Sequence, residues 1–271
     1  MKFADLHLHT LFSDGTSTPK EVIREAQNKG LSAIAIVDHD TVDALPQALE
    51  IAGSGIIEVL PGIELTAEYD GLEIHILGYL IDYKNKTLKE KLEFLKKNRI
   101  ERAYKMVERL KNMGLALDVQ DVFNLAKSGT VGRLHIAQAL VKAGLAGSAW
   151  EAFQKYIGDK SPAYIAGFRL APSEAINLIK SIGGIPVLAH PYSLNRDDLI
   201  PVFVDSGLMG IEVYYPEHTQ SMINYYLALA KKFNLLVTGG SDFHGAAKPH
   251  GQVGLSKIPY ELVEELKQAK P

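Results

Sequence analysis

Residues 18–40 read "TPKEVIREAQNKGLSAIAIVDHD" and contain one complete helix-to-strand unit. Thr18 offers a side-chain oxygen to cap the first free N–H groups of a helix, and Pro19 follows at the first helical position, where its missing N–H costs nothing. Apolar residues then recur at helical spacing as far as Gly30, a helix-stop residue. Leu31 to Val37 is a nearly unbroken apolar run, which suits a parallel strand covered on both faces. It ends in Asp-His-Asp, so that His39, a ligand-type residue, stands at the C-terminal end of a buried strand.

The same grammar extends both ways. "KFADLHLH" (2–9) reads as an earlier strand and "DALPQALEIAG" (43–53) as a further helix. Residues 55–80 form two alternating segments around Asp70-Gly71, a hairpin turn. From residue 86 the text changes: "LKEKLEFLKKNRIERAYKMVERLKNMG" (88–114) is a long charged amphipathic helix, followed by the shorter helical patterns "DVQDVFNLA", "GRLHIAQALVKAG" and "SAWEAFQKYIG". Helix and strand alternate again afterwards, through "SEAINLIKSIGG" to "IPVLAHP", "RDDLIPVFVDSG" to "LMGIEVYYP", and "QSMINYYLALAKKFN" to "LLVTGGSDFHG". The expected architecture is α/β: a barrel domain formed by 1–85 and 166–271, with a helical insertion at 86–165 capping one mouth.

Composition limits what such a chain can do. Its 271 residues, 46% hydrophobic and 23% charged, are enough for a sizeable core. A net charge of −3 gives no broad basic field for long nucleic acid, so an anionic substrate must be met by local charges. With no cysteine, disulfides, thiolate metal sites and cysteine nucleophiles are excluded. The N-terminus lacks signal-peptide pattern and no apolar run could span a bilayer, so a cytoplasmic location without membrane contact is the expectation. No Walker-type loop appears.

Ligand-type residues recur at the ends of the expected strands. His7 and His9 lie at i and i+2, on one face of a strand, with Leu6 and Leu8 on the other. Asp242 and His244 repeat that spacing. Asp14 follows the first strand, His39 and Glu64 end the next two, His75 stands in the second arm of the hairpin, and His190 ends "LAHP". A barrel brings such strand ends to one face, where active sites form. These six imidazoles and three carboxylates exceed the needs of one ion and point to two or three divalent metals bridged by Glu64, manganese first, with iron or zinc as alternatives. The net positive charge of such a centre would suit a phosphate dianion. Asp38, Asp40 and Asp43 are expected to cap the following turn and helix, while Asp5 could orient a ligand histidine.

The stretches "DLHLHT" with "SDG", "DHD", "PGIE", "HILGY", "AHP" and "GSDFHG" resemble the successive motifs of the PHP (polymerase and histidinol phosphatase) family along almost the whole chain. "GRLHIAQALVKAG" and "YIGDKSPAYI" are similar to its branch of nucleoside 3′,5′-bisphosphate phosphatases and short-oligoribonucleotide 5′-exonucleases. The resemblance implies a distorted (β/α)7 TIM-like barrel and a trinuclear centre. One metal would be held by His7, His9, Glu64 and Asp242, a second by Asp14, His39 and His244, and a third by Glu64, His75 and His190. Leu134 stands where that branch has proline, with Arg133 and His135 in place.

Arg133 and His135 begin a helix, where free N–H groups and a guanidinium favour a second phosphate. Arg99 and Arg102, one helical turn apart, could face the same pocket; Tyr156 and Lys160 are weaker candidates. The expected reaction is hydrolysis of nucleotide phosphomonoesters by a metal-bridging hydroxide, on small nucleotides or the 5′ ends of short RNA, with the leaving oxygen protonated by water or by a nearby histidine, His190 or His218. His250 is expected at the surface. The alternatives are a histidinol-phosphate phosphatase, a metal-dependent amidohydrolase, for which no bridging lysine is evident, and a non-catalytic PHP module, which would be expected to have lost ligands. The oligomeric state is left open.

Overall fold

The helix read from residues 18–30 forms as α1 (Pro19–Asn28). Its cap is reciprocal: Thr18 Oγ1 accepts the Glu21 N–H at 3.2 Å, and the Glu21 carboxylate accepts the Thr18 N–H at 2.7 Å. Val22, Ile23 and Ala26 are buried and turn α1 onto the strand that follows, β2 (Ala33–Ile36). The structure is a computed structural model describing residues 2–53, 55, 57–126, 130–158, 160–248 and 251–270; His250 lies outside the described residues.

β2 lies between β1 (Phe3–Leu8) and β3 (Glu58–Tyr69), parallel to both, and α2 (Leu45–Ala52) connects β2 to β3. β3 turns back through Asp70-Gly71, both at positive φ (50° and 78°), into antiparallel β4 (Leu72–Tyr79). That is the turn the Asp-Gly pair announces, since both central residues of a type I′ turn need positive φ. The chain then leaves the sheet for α3 (Lys86–Asn112), α4 (Val119–Ala126), α5 (Arg133–Lys142) and α6 (Ala149–Ala152), the last running into a π turn over Phe153–Ile157. These helices enclose an apolar cluster of their own, centred on Met106, Leu110, Val122, Ile136, Leu140 and Ile157.

α7 (Pro172–Ser181) returns the chain to β5 (Ile185–Leu188), which runs antiparallel to β4. α8 (Ile200–Asp205), β6 (Gly210–Tyr214), α9 (Gln220–Phe233) and β7 (Leu236–Gly239) continue the parallel order. The chain ends in β8 (Ile258–Pro259), antiparallel to β1, and α10 (Glu261–Gln268). The sheet order among the described residues is β7-β6-β5-β4-β3-β2-β1-β8, a mixed eight-stranded, nearly closed barrel. The additional strand beyond the expected seven is the two-residue β8, too short to leave an alternating pattern in the sequence. Among the described residues no helix is long and apolar enough to cross a membrane.

The free edge of β1 is shared. Its start pairs with β8, and its end meets the segment after β7, where the His9 N–H donates to Phe243 O at 2.9 Å and the Phe243 N–H to His7 O at 3.3 Å. A β-bulge interrupts β1 between Asp5 and Leu8. Leu6 joins the cluster of Ala35, Leu60 and Tyr79, whereas Leu8 packs with Val22, Ile34 and Ile36 under the helices. The simple alternation expected for β1, with Leu6 and Leu8 together, is therefore corrected: the extra residue re-aims the strand so that His7 and His9 both enter the barrel mouth.

Gly240 lies against β1 at this closure, where a Cβ would collide with the backbone N and the Cβ of His7. Gly240→Ala should therefore cost about 1–3 kcal/mol of stability and weaken divalent-metal binding with it, as read by thermal unfolding and metal titration. An unchanged unfolding midpoint would contradict this account of the closure.

Candidate metal centre

All nine ligand-type residues named from the sequence meet at the C-terminal mouth of the barrel. Glu64 is at the middle, completely buried on β3. Its Oε2 lies 3.0 Å from His9 Nε2, 3.1 Å from His7 Nε2 and 3.5 Å from His39 Nδ1, and its Oε1 lies 2.9 Å from His75 Nδ1 and 3.3 Å from His190 Nε2. Asp242 Oδ1 approaches His7 and His9 at 3.5 and 3.3 Å, and Asp14 Oδ1 is 3.2 Å from His244 Nε2. Three groups could each surround an ion, with candidate donor atoms all within 4.8 Å of one another: His7, His9 and Asp242; His9, Asp14, His39 and His244; and His39, Glu64 and His75.

The hydrogen bonds on the outer sides of the rings decide which nitrogens face inward. His7 Nδ1 is 2.9 Å from Glu212 Oε1, and His244 Nδ1 is 2.8 Å from the Asp242 carbonyl. His75 Nε2 is 3.2 Å from Glu73 Oε1. The Ser193 hydroxyl donates to His190 O, so His190 Nδ1–H donates to Ser193 Oγ at 2.9 Å. With a cation in the centre, each of these outer acceptors would take the single proton of a neutral imidazole and leave a bare nitrogen aimed inward. His9 Nδ1 and Nε2, His39 Nδ1 and Asp14 Oδ1 are buried without any hydrogen-bond partner. Buried polar atoms are seldom left so, and converging lone pairs with carboxylates fit divalent cations held by nitrogen and oxygen.

The backbone supports this convergence at some cost. His190 and Asp242 have positive φ, 23° and 46°, a region that L-residues seldom occupy and that collects at functional sites. The loop bearing Asp14 is tied down by Asp38, which accepts from Thr10 N at 2.7 Å and from Thr10 Oγ1 and Ser13 Oγ, both at 2.6 Å. Asp40 accepts from Thr66 N and pairs with Arg99. The expected capping role of Asp38 and Asp40 is thus corrected, and α2 has no side-chain cap. Asp5 accepts N–H groups from Ser241 at 2.9 Å and Gly254 at 2.7 Å instead of orienting a histidine side chain. Burial pushes its carboxyl up to about 6.

Sequence reasoning passed over Glu212, which is completely buried on β6. One oxygen takes the His7 Nδ1 proton, and the other accepts the His190 N–H at 2.8 Å. The available signal was a lone carboxylate inside the apolar run "GIEVYY". Tyr215 and Lys248 were missed as well. Both donate to Asp242 Oδ2, at 2.9 and 2.6 Å, which leaves Oδ1 turned toward His7 and His9.

His218 is behind this centre. Its Nδ1–H donates to the Val213 carbonyl at 2.8 Å, and its ring packs among Tyr192, Tyr215 and Tyr226. Burial holds its pKa below the usual value, so the neutral ring has no proton at Nε2 to give. The general-acid role expected for His218, and for His190 with its Nδ1 proton committed to Ser193, is corrected on that ground.

A cavity of about 260 Å³ opens beside the cluster. Its lining joins Asp14, His39, His75 and His244 of the cluster with Arg99, Arg102, Arg133 and Arg169. Arg99 donates to Asp40 and to Thr66 Oγ1, and Arg133 and Arg169 both pair with Glu73. Arg102 donates Nε to Ile165 O at 2.7 Å, while one of its terminal nitrogens is buried without a hydrogen-bond partner. Burial, with Arg169 and Arg133 beside it, pulls its pKa down to about 10. His135 is buried at the start of α5, where its Nδ1 accepts the Gly132 N–H at 3.1 Å; it braces the turn carrying Arg133 and is absent from the cavity wall. Tyr156 and Lys160 are absent from that wall as well.

The PHP domain pattern matches residues 5–160, and the chain belongs to the PHP family, as a hydrolase of the metal-dependent phosphoesterase class. It is 33% identical to the 5′-3′ exoribonuclease Rnm of Escherichia coli K12, over 89% of this chain and 84% of that one. A phosphoribosyl 1,2-cyclic phosphate 1,2-diphosphodiesterase of Eggerthella lenta is 31% identical over 89% and 94%. A 3′,5′-nucleoside bisphosphate phosphatase of Chromobacterium violaceum is 30% identical over 92% and 90%. Among solved structures, a chain from Bifidobacterium adolescentis ATCC 15703 assigned as a metal-dependent phosphoesterase superposes with a TM-score of 0.91 at 33% identity, covering 99% of this chain and 96% of that one.

Glu212→Gln keeps the volume but offers His7 a weaker acceptor, so divalent-metal affinity should fall about 10–100-fold with the fold intact, as read by chelator competition and circular dichroism. Unchanged affinity would contradict the orienting role.

The pH dependence follows from the same charges. Burial opposes protonation of His9 and His75, but Asp242 and Glu64 raise His9 to about 9, and Glu64 and Glu73 raise His75 to about 10. Both values lie above the unfolded 6.5, so the metal-free protein gains stability from these cations in full below that pH and loses it as pH climbs through about 9 to 10. Burial lowers His39 to about 3, which keeps it neutral. A stripped sample should therefore lose thermal stability between pH 7 and 10 relative to a metal-loaded one, and metal affinity should rise over that range as protons are displaced. Parallel stability curves would refute the coupling.

Proposed function

We propose that the protein hydrolyses phosphoester bonds of nucleotides carrying a further phosphate: a phosphomonoester of nucleoside 3′,5′-bisphosphates and, in the same cavity, the first phosphodiester at the 5′ end of short 5′-phosphorylated RNA. The observation carrying this reading is the shared cavity, lined both by residues of the ligand cluster and by four arginines, of which Arg102 keeps a buried donor without a partner. One phosphate fits the cluster side and a second the guanidinium side, where bidentate charge-assisted hydrogen bonds are available. The names of the Escherichia coli and Chromobacterium violaceum relatives support the same substrate class.

The proposed ligand sets are His7, His9, Glu64 and Asp242 for one ion; Asp14, His39 and His244, with His9 alongside, for a second; and Glu64, His75 and His190 for a third. Divalent ions there, manganese in our reading, supply water activation at neutral pH and charge neutralisation on the transferring phosphoryl group. The chain's own residues bind and orient. Arg133, at the first position of α5, and Arg99 and Arg102, on one face of α3, hold the distal phosphate and turn the scissile phosphorus toward the cluster. Tyr215, Lys248 and Glu212 fix the orientation of Asp242 and His7. Because the Nδ1 protons of His190 and His218 are committed elsewhere, the leaving oxygen takes its proton from solvent in the cavity.

The test is to offer manganese-loaded protein adenosine 3′,5′-bisphosphate, 5′-phosphorylated dinucleotides, phosphoribosyl 1,2-cyclic phosphate and histidinol phosphate in parallel. Turnover of the first two is expected; turnover confined to either of the others would overturn the substrate class. In addition, Arg133→Ala should raise KM for the bisphosphate about tenfold or more while sparing a simple aryl phosphate. Equal losses on both substrates would remove the second-phosphate role.

A further inference from the structure

Two phenylalanines in contact, one of them lining this cavity, break the usual burial pattern. Phe94 on α3 and Phe168, in the segment leading to α7, are 46% and 45% exposed, and their rings meet edge to face at 4.9 Å and 82°. Other large apolar side chains are more exposed, Trp150 at 73% and Leu255 at 54%, but neither lines the cavity. Phe168 does, between Gly167 and Arg169, which line it too. Gly167 lets the chain pass close there, since a Cβ would come within 2.9 Å of Arg102 Cδ and push that side chain aside. One short segment therefore presents a half-exposed aromatic ring, passes close beside the Arg102 stem, and adds the Arg169 guanidinium to the phosphate wall. Lys91, one turn before Phe94 on α3, brings its ammonium to 5.4 Å from the Phe168 ring centre and 5.8 Å from that of Phe94.

An aromatic face beside a cationic groove is what single-stranded nucleotide sites use, since every base has a π face and every linkage a charge. We propose that Phe168, held in T-shaped contact with Phe94, is the stacking platform for the nucleobase of the substrate. The inference rests on the nucleotide reading above and deepens it: Arg99, Arg102, Arg133 and Arg169 take phosphate, and Phe168 takes the base next to it. It assigns the preference for base-bearing over bare sugar phosphates to one ring. Because stacking tolerates any base, little discrimination between adenine and uracil is expected.

The test compares adenosine 3′,5′-bisphosphate with its abasic counterpart, in which hydrogen replaces adenine on the ribose. Calorimetric titration of the metal-stripped protein reads binding without turnover. The wild type should bind the base-bearing ligand about tenfold more tightly, Phe168→Ala and Phe168→Leu should abolish the difference, and Phe168→Tyr should keep it. With manganese, Phe168→Ala should raise KM for the adenosine compound by a similar factor, with kcat nearly unchanged and the abasic substrate unaffected. Equal wild-type affinity for the two ligands, or a preference that survives in Phe168→Ala, overturns the platform. A base preference in binding without turnover of the adenosine compound would leave the platform standing and reject the proposed function.

Discussion

A completely buried carboxylate, Glu64, is held within about hydrogen-bonding distance of five imidazoles, and the rest of the mouth is arranged around that fact. Removing a carboxylate from water is costly unless opposite charge meets it. Here burial works against ionisation, but the protonated rings of His7 and His75 outweigh it and hold the Glu64 carboxyl well below its usual range. Four bare or orphaned atoms of His9, His39 and Asp14 show that protons on the histidines satisfy the site only in part. Divalent cations would meet the remainder.

The closure of the barrel and the assembly of the site are one event. His7 and His9 belong to β1, and the peptide that seals β1 against the end of β7 is the one bearing Asp242 and His244. The bulge in β1, the glycine at 240 and the positive φ of Asp242 all occur at this seam, so deformation that would weaken a plain barrel is concentrated where residues from the two chain ends must meet. Glu212 extends the coupling to β6, by fixing one ring of β1 and the backbone that carries His190.

Much of this was legible in the chain because it is local. The Thr18 cap, the Asp70-Gly71 turn, the alternation of apolar runs with helices and the ligand-type residues at strand ends depend on residues a few positions apart. The arginine wall was legible only in part. Arg99, Arg102 and Arg133 were visible as helix residues, but Arg169 and Phe168 lie in irregular chain, where no periodicity marks a direction. His135 and His218 were misread because a histidine in sequence does not reveal which neighbour engages its ring nitrogens, or in which direction. Gly132 N–H engages the first and the Val213 carbonyl the second.

The sequence by itself determined the class of chemistry: without cysteine, any metal must be held by imidazoles and carboxylates, and their recurrence at strand ends requires a barrel mouth to gather them. Only the tertiary structure decided which nitrogen of each ring turns inward, that Glu212 and Tyr215 orient the ligand-type residues, that Asp38 and Asp40 brace loops instead of capping a helix, and that a phenylalanine pair stands beside the arginines. The reason is physical. A side chain's role in a low-dielectric site is set by the partners that desolvate it, and those partners come from distant parts of the chain, brought together only when β1 meets the end of β7.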